Sequence, residues 1–378
     1  VKKVLIGLVV VLVLGAAGAA GVWYWLETRL TEFAAAPFGS TAPVMVTIPP
    51  GTNPKGVSTL LAKAGVVSDG DLLYNWLRRE KLGPKLKAGE YEFVGPLTPP
   101  QAIEKLIKGE VKVYRFTVPE GLRWEEILPI VANSELKLDL EKLKALVADK
   151  AFLKRAGVPA QVIEGFLFPD TYTFPKGVSE EQVLRKMVES TLETVKKATR
   201  KPGVELDLLQ AVTLASIVEK ETGAVEERPR ISCVFHNRMN HPEAETKGKL
   251  ETDPTVIYAK MLRTGTYSKN ITREDLLTPH PYNTYKIKGL PPGPIANPGA
   301  AAIAAALNPL DCPDYFFVSK NDGTHVFCPT WECHTAQVQK WQVEYHRKGN
   351  GGGSGGAGGS DGGPDAGTRS DAGTRSSN

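Results

Sequence analysis

Apolar positions follow three different rhythms along this chain, and each predicts a different kind of element. The first rhythm is unbroken: Lys2 and Lys3 precede an uncharged run from Val4 to Leu26. At about 23 residues the run exceeds the ~20 needed to span a bilayer as a helix, whereas a signal-peptide apolar region is usually only about 7–15 residues. Trp23, Tyr24 and Trp25 close it, as aromatics do at a membrane interface. The pattern predicts a single-pass anchor over residues 1–26. The two lysines set a cytoplasmic amino terminus and leave the rest of the chain outside. The competing reading is a cleaved signal, because Gly15-Ala16-Ala17-Gly18-Ala19-Ala20 offers small residues to a peptidase.

The second rhythm is alternation. After a juxtamembrane linker at 27–43, Val46-Thr47-Ile48-Pro49-Pro50-Gly51 is echoed by Phe116-Thr117-Val118-Pro119-Glu120-Gly121. Each is a short strand stopped by proline and glycine and followed by helical patterning. Each unit then returns to a second strand, Gly89–Phe93 in the first and Thr171–Phe174 in the second. A capping-box start follows both times, Thr98-x-x-Gln101 and Ser179-x-x-Gln182. The first unit, residues 44–113, therefore reads strand, helix, helix, strand. That order is similar to the LysM module, a small fold that binds the N-acetylglucosamine-containing backbone of cell walls; a plain spacer is the alternative.

The third rhythm is apolar nearly all round. Between Asp207 with Gln210, a plausible amino-terminal cap, and Gly223, a carboxy-terminal stop, lies a core helix. At about 100° per residue, Glu219 shares a stripe with Leu208, Val212 and Ala215. Desolvation there raises a carboxyl's pKa and keeps it protonated near neutral pH, which is what a glycosidic leaving oxygen requires. Glu221 stacks with Leu214 and Ile217, so periodicity alone does not rank the two. Both could equally be solvated at the helix end beside Lys220.

Composition adds little. The 378 residues are 42% hydrophobic and 23% charged, as in a globular protein, and a net charge of +4 gives no reason to expect nucleic acid; the mixed strand and helix patterns predict an α+β fold. From Gly351 a glycine-rich run leads into two copies of Asp-Ala-Gly-Thr-Arg-Ser, so 349–378 reads as a tail unable to bury a core. Four cysteines fit an oxidising compartment. Tyr315–Ser319 and Thr324–Phe327 form a hairpin around Asn321-Asp322-Gly323. It brings Cys312 near Cys328 and Cys333, and a disulfide from Cys312 to one of them is expected. A zinc set of His325, Cys328, Cys333 and His334 departs from the paired spacing of structural sites, so no metal is expected. Cys233, in an apolar segment, reads as a buried free thiol.

Residues 215–222, Ala-Ser-Ile-Val-Glu-Lys-Glu-Thr, look like the signature of the MltG (YceG-like) family of endolytic murein transglycosylases. Further matches run in order: Glu164–Tyr172, Phe235–Arg238, Thr252–Tyr258, Pro281–Tyr285 and Gly289–Gly299. The resemblance covers roughly residues 1–346 and implies a catalytic domain at 114–348. It implies that Glu219 is the catalytic acid, and that no cofactor is used. The implied reaction cuts the bond between N-acetylmuramic acid and N-acetylglucosamine in peptidoglycan and leaves 1,6-anhydro ends. One carboxyl serves as acid and then base, with the sugar's own 6-hydroxyl as nucleophile. A muramidase hydrolysing the same bond and a non-catalytic wall-binding scaffold are the alternatives. The implied location is the cytoplasmic (inner) membrane with the catalytic part outside, near newly made strands and the cell wall synthases.

Within those motifs Ser216, Glu221, Asn237, Asp253, Tyr258, Tyr282, Asn283, Thr284, Tyr285 and Asn297 are candidate substrate contacts. Asp253-Pro254 and Asn297-Pro298 also follow helix-start grammar. Tyr282-Asn283-Thr284-Tyr285 is too polar for a core strand and suits sugar rings. The Gly/Pro run 289–299 shapes a wall; Glu164 could be a second acidic group in the cleft, but Gly165 beside it and its place in the repeat favour a structural turn. The family pattern does not usually carry the three late cysteines, so they read as a local staple.

Overall fold

The computed structural model describes residues 2–344, and its chain divides into two compact units. One comprises the residues up to Tyr114 together with Thr173–Val178; the other comprises Arg115–Tyr172 and the chain from Ser179 onward. The Gly/Ser-rich stretch at 349–378 lies outside the described residues.

The first unit begins with helix α1 (Lys2–Ala35). Its span from Ile6 to Ala35 is long and apolar enough to cross a membrane. The helix does not stop at Leu26. Residues 27–35, expected to be linker, continue it, because Leu30 and Phe33 bury themselves in the core of this unit. Arg79 then reaches Glu27 at 2.7 Å.

Strands β1 (Val44–Ile48) and β2 (Gly89–Phe93) pair antiparallel, with Val44 opposite Phe93 and Ile48 opposite Gly89. Their alternation puts Val46, Ile48, Tyr91 and Phe93 on the buried face. Between them run α2 (Pro54–Lys63) and α3 (Gly70–Arg79), started by the side chains of Asn53 and Asp69. After β2 comes α4 (Pro99–Lys108), opened by the Thr98/Gln101 capping box and closed by Gly109 in the left-handed conformation.

Strand β3 (Val113–Thr117) and strand β4 (Thr171–Pro175) form a second two-stranded sheet. Between them are α5 (Trp124–Asn133), α6 (Leu140–Leu146) and α7 (Lys150–Ala156). Helix α8 (Glu180–Lys197) follows, started by Ser179 and Gln182 as the sequence pattern predicts. Helix α9 (Leu208–Glu221) is the core helix of the second unit. Asp207 and Gln210 cap it reciprocally, and every side chain from Ala211 to Val218 is buried. It ends at Glu221 with Thr222 as its C-cap, immediately before Gly223. Against it pack α10 (Arg228–Asn240), α11 (Asp253–Thr264) and α13 (Ala300–Leu307), with α12 (Arg273–Leu277) beyond. The core formed there takes in Leu214, Ile217, Phe235, Leu250, Ile295 and Ile303.

A hairpin of β5 (Phe316–Ser319) and β6 (His325–Cys328) follows, turning at Asn321 and Gly323, both at positive φ. The short helix α14 (Trp331–Val338) comes after it. The disulfides differ from expectation: Cys233 pairs with Cys312, and Cys328 with Cys333. Cys233 is no free thiol, because α10 turns it toward the segment ahead of the hairpin. Asn237 fixes that segment by donating to the carbonyls of Cys312 and Asp314, both at 2.9 Å. Cys328 meets Cys333 through the first turn of α14. His325 is held by Glu227 at 2.7 Å, and Cys328 and Cys333 bond each other.

Two stability predictions follow from this packing. The Cys233–Cys312 bridge closes 79 residues and the Cys328–Cys333 bridge only 5. Loop-closure entropy then gives about 4.5 kcal/mol for the first and about 2 kcal/mol for the second. Cys312→Ser should therefore lower the thermal midpoint clearly more than Cys333→Ser in calorimetry under oxidising conditions. Equal losses would contradict this. Gly165 has φ +84, and a Cβ there would lie 2.4 Å from Pro294 and 2.9 Å from Val212. Gly165→Ala should cost about 2–5 kcal/mol, from left-handed backbone strain plus overpacking, measurable as a fall in denaturation midpoint.

Candidate active site

The last turn of α9 carries two carboxyls into two different environments. Glu219 lies on the side of α9 that faces the start of α10 and the start of α13. Its Oε1 accepts from Arg228 Nη2 at 2.7 Å, and its Oε2 accepts from the backbone N–H of Gly299 at 3.1 Å. Gly299 is the residue from which α13 starts, so the carboxyl also meets the positive end of a helix. Its side chain is only 5% exposed and that of Arg228 only 4%. Burial raises the proton affinity of Glu219, and the nearby Glu120 adds to this; the Gly299 N–H and Arg228 pull the other way, and burial prevails.

Glu120 completes the group. Its Oε2 accepts from Arg228 Nη1 at 3.3 Å, so one guanidinium is shared by two carboxylates. Unlike its neighbours, the Glu120 side chain is 46% exposed. It belongs to the turn after β3. There Gly121, at φ +73, brings the backbone so close to Glu219 that a Cβ would lie 3.5 Å from its Cγ. Lys220 ties down the same turn by donating to the Gly121 carbonyl at 3.0 Å.

Glu221 points elsewhere. It accepts from the Thr252 hydroxyl, and burial, followed by the charge of Asp253, lifts its pKa to about 7. Asp253 in turn accepts from the Tyr285 hydroxyl at 2.7 Å. Arg238 is near enough to oppose the shift, and its guanidinium donates to the carbonyls of Leu250 and Tyr315. Four motif segments thus meet around Glu221, separately from those around Glu219.

Other expected substrate contacts lie inside the walls. Ser216 is fully buried; it donates to the Thr213 carbonyl and accepts from the Ile295 N–H at 3.0 Å, holding the Gly/Pro run in place. Asn283 spends its amide on the carbonyls of Asp275, Leu276 and Thr278 at the end of α12. Thr284 bridges Thr252 and Thr255 and is fully buried. Asn237 serves the disulfide segment described above. Tyr258 is buried, and its ring lies 4.9 Å from that of the half-buried Tyr282. Asp253 is the first residue of α11, and Thr252, not Asp253, occupies the cap position.

Asn297 does not cap α13, which starts from Gly299. It is a fully buried junction. Its Oδ1 accepts from Leu167 N at 2.8 Å, and its Nδ2 donates to the Leu122 carbonyl at 2.9 Å and to Glu164 Oε1 at 2.8 Å. Two backbone bonds, Gly121 N to Asn297 O and Asn297 N to Leu122 O, sew the same place together at 2.9 Å each. Glu164, fully buried, also accepts from Trp124 N; burial raises its pKa to about 8. Three separate motifs are joined at one amide, directly behind the Glu219 cluster.

The sequence reading missed Arg228 and gave Glu120 no chemical role. Glu120 had a signal: in the strand repeat it stands where the first copy has Pro50. Arg228 had none, since its approach depends on how the chain turns after Thr222.

The YceG-like family model matches residues 46–340. A Bacillus subtilis protein named endolytic murein transglycosylase is 31% identical over 80% of this chain and 86% of its own length. A Streptococcus pneumoniae protein of the same name is 29% identical over 88% of this chain, which spans 63% of that longer protein. A crystal structure of a yceG-like protein from Listeria monocytogenes is 28% identical, with a TM-score of 0.50 over 79% of this chain and 100% of the other. Extended similarity on this scale, through the segments that build the Glu219 cluster, establishes that the chain belongs to the YceG-like family.

Proposed function

We propose that this chain is a membrane-anchored lytic transglycosylase of peptidoglycan in which Glu219 is the single acid and base. The observation that carries the proposal is the buried Glu219 carboxyl, its proton affinity raised by burial, linked through Arg228 to a half-exposed carboxylate. The names of the relatives support the substrate and the reaction type. In the first step Glu219 protonates the oxygen leaving C1 of N-acetylmuramic acid. As a carboxylate it then takes the proton from that sugar's 6-hydroxyl as the oxygen attacks C1. The bond to N-acetylglucosamine breaks, a 1,6-anhydro ring forms, and the proton ends on Glu219 again. No water is consumed.

Helix α1 supports single-pass anchoring in the cytoplasmic membrane, with Lys2 and Lys3 favouring a catalytic part on the outer side. Tethering there suits cuts within new strands, termination of their growth, and proximity to the synthases. The β1–α2–α3–β2 order supports a LysM-like, wall-binding role for residues 44–113.

Glu219→Gln should reduce cleavage of purified glycan strands by about a thousandfold or more, the contribution expected of a general acid and base, while circular dichroism shows the protein still folded. Mass analysis of wild-type products should find anhydro ends. Reducing ends in their place would make the chain a hydrolase, and an active Glu219→Gln beside an inactive Glu221→Gln would move the chemistry to Glu221.

The pH profile tests the protonation state. The acid form of Glu219 is the starting form, and burial raises its pKa above the ordinary carboxyl value. Activity should therefore hold as pH rises through the normal Glu range of about 4.3 and fall only above it. A descending limb centred on the ordinary value would contradict the burial argument.

A further inference from the structure

The turn Pro119-Glu120-Gly121 closes the second copy of the strand repeat, and the proposed proton transfers leave its carboxylate unused. Arg228 at 2.7 Å pulls Glu219 toward the anion, because an opposite charge at that distance favours the ionised form, and so works against the burial that raises its proton affinity. An acid catalyst cannot work from that state. We infer that Glu120 is a positioning residue of this site: by sharing the Arg228 guanidinium, it draws part of that positive charge away from Glu219 and leaves Glu219 able to hold its proton. The inference rests on Glu219 being the acid and base.

Three geometric observations carry it. Arg228 divides its two terminal nitrogens, Nη2 to Glu219 and Nη1 to Glu120, so the sharing is structural. Gly299 has an ordinary φ of −80 that any residue could adopt, yet a Cβ there would lie 2.0 Å from Glu120 Oε1. A side chain at 299 would therefore displace the Glu120 carboxyl, although the backbone there would accept one. The Glu120 turn is in turn held by Lys220 and by the paired backbone bonds to Asn297. The charged and polar groups facing Glu219 are Arg228 from α10, Glu120 from the turn, the Gly299 N–H from the start of α13, and Lys220 from its own helix. Among these, Glu120 is the one that adds negative charge.

The test is a pH–rate profile on purified glycan strands with the full chain. Its variants are Glu120→Gln, Glu120→Asp, Gly299→Ala and Glu219→Gln. Glu120→Gln keeps an acceptor for Arg228 but removes the charge. Its descending alkaline limb should move down by about one pH unit, with the plateau rate within severalfold of wild type. Glu120→Asp should return the limb toward wild type. Gly299→Ala, by displacing Glu120, should shift it as Glu120→Gln does. A Glu120→Gln limb that coincides with wild type overturns the inference, as does a uniform loss at every pH with no shift. If Glu120→Gln fails in these ways while Glu219→Gln is inactive, only the inference falls. If Glu219→Gln cleaves normally, the parent reading falls and takes this one with it.

Discussion

Glu219 and Arg228 meet at 2.7 Å with side chains 5% and 4% exposed, and much of the second unit is arranged around the cost of keeping them there. Taking each charge out of water costs several kcal/mol, repaid only when the remaining donors and acceptors are also satisfied. Here repayment is partial. Glu219 gains a backbone N–H, Arg228 gains a second carboxylate, but Arg228 Nε is buried with no hydrogen bond among the described residues. A pair of apolar side chains of equal volume would be no worse for stability. The pair is better understood through chemistry, which needs a carboxyl near balance between two protonation states and pointed in one direction.

Direction comes from Asn297. Its single amide joins the 120–122 turn, the 164–167 loop and the run that leads into α13. Each of these arrives from a different part of the second unit, and α9 crosses between them. Gly165 makes the crossing possible, since any side chain there would collide with Pro294 and Val212. A small displacement of any one segment would reach Glu219 through Gly121 or Gly299. Such precision is what a near-attack geometry demands, because orientation contributes a large share of the rate.

What could be read from the sequence was chiefly local. The capping boxes at Thr98, Ser179 and Asp207 depend on side chains three residues apart, and each forms as its pattern predicts. The 321–323 hairpin is of the same kind. Helical periodicity located both Glu219 and Glu221 on a buried helix but could not choose between them, since both are in fact buried. Their distinction lies in partners from distant segments: Arg228, Glu120 and Gly299 for one, Thr252 and Asp253 for the other. Buried asparagines misled for a related reason. Asn283 and Asn297 carry polar groups suited to sugars, yet Asn283 donates to three backbone carbonyls, and Asn297 bonds the Leu122 carbonyl, the Glu164 carboxyl and the Leu167 N–H. Cys233 looked inert because its neighbours are apolar. A disulfide partner 79 residues away leaves no local trace.

The presence of two carboxylates raises the question of a hydrolase, whose acid and nucleophile or base flank the scissile bond at about 5–9.5 Å. Flanking requires the space between the carboxyls to be open to a sugar or to water. In this site that space holds a guanidinium, bound at both ends, with 4% of its side chain exposed. Glu120 and Glu219 therefore cannot attack opposite faces of one sugar ring while Arg228 stands between them. In the proposed reaction Glu219 alone moves the proton, and a single carboxyl closes its cycle by returning it. An intramolecular hydroxyl supplies the nucleophile without a second carboxylate to activate it. The occupied gap thus argues against Glu120 and Glu219 acting as the two flanking carboxyls of a hydrolase.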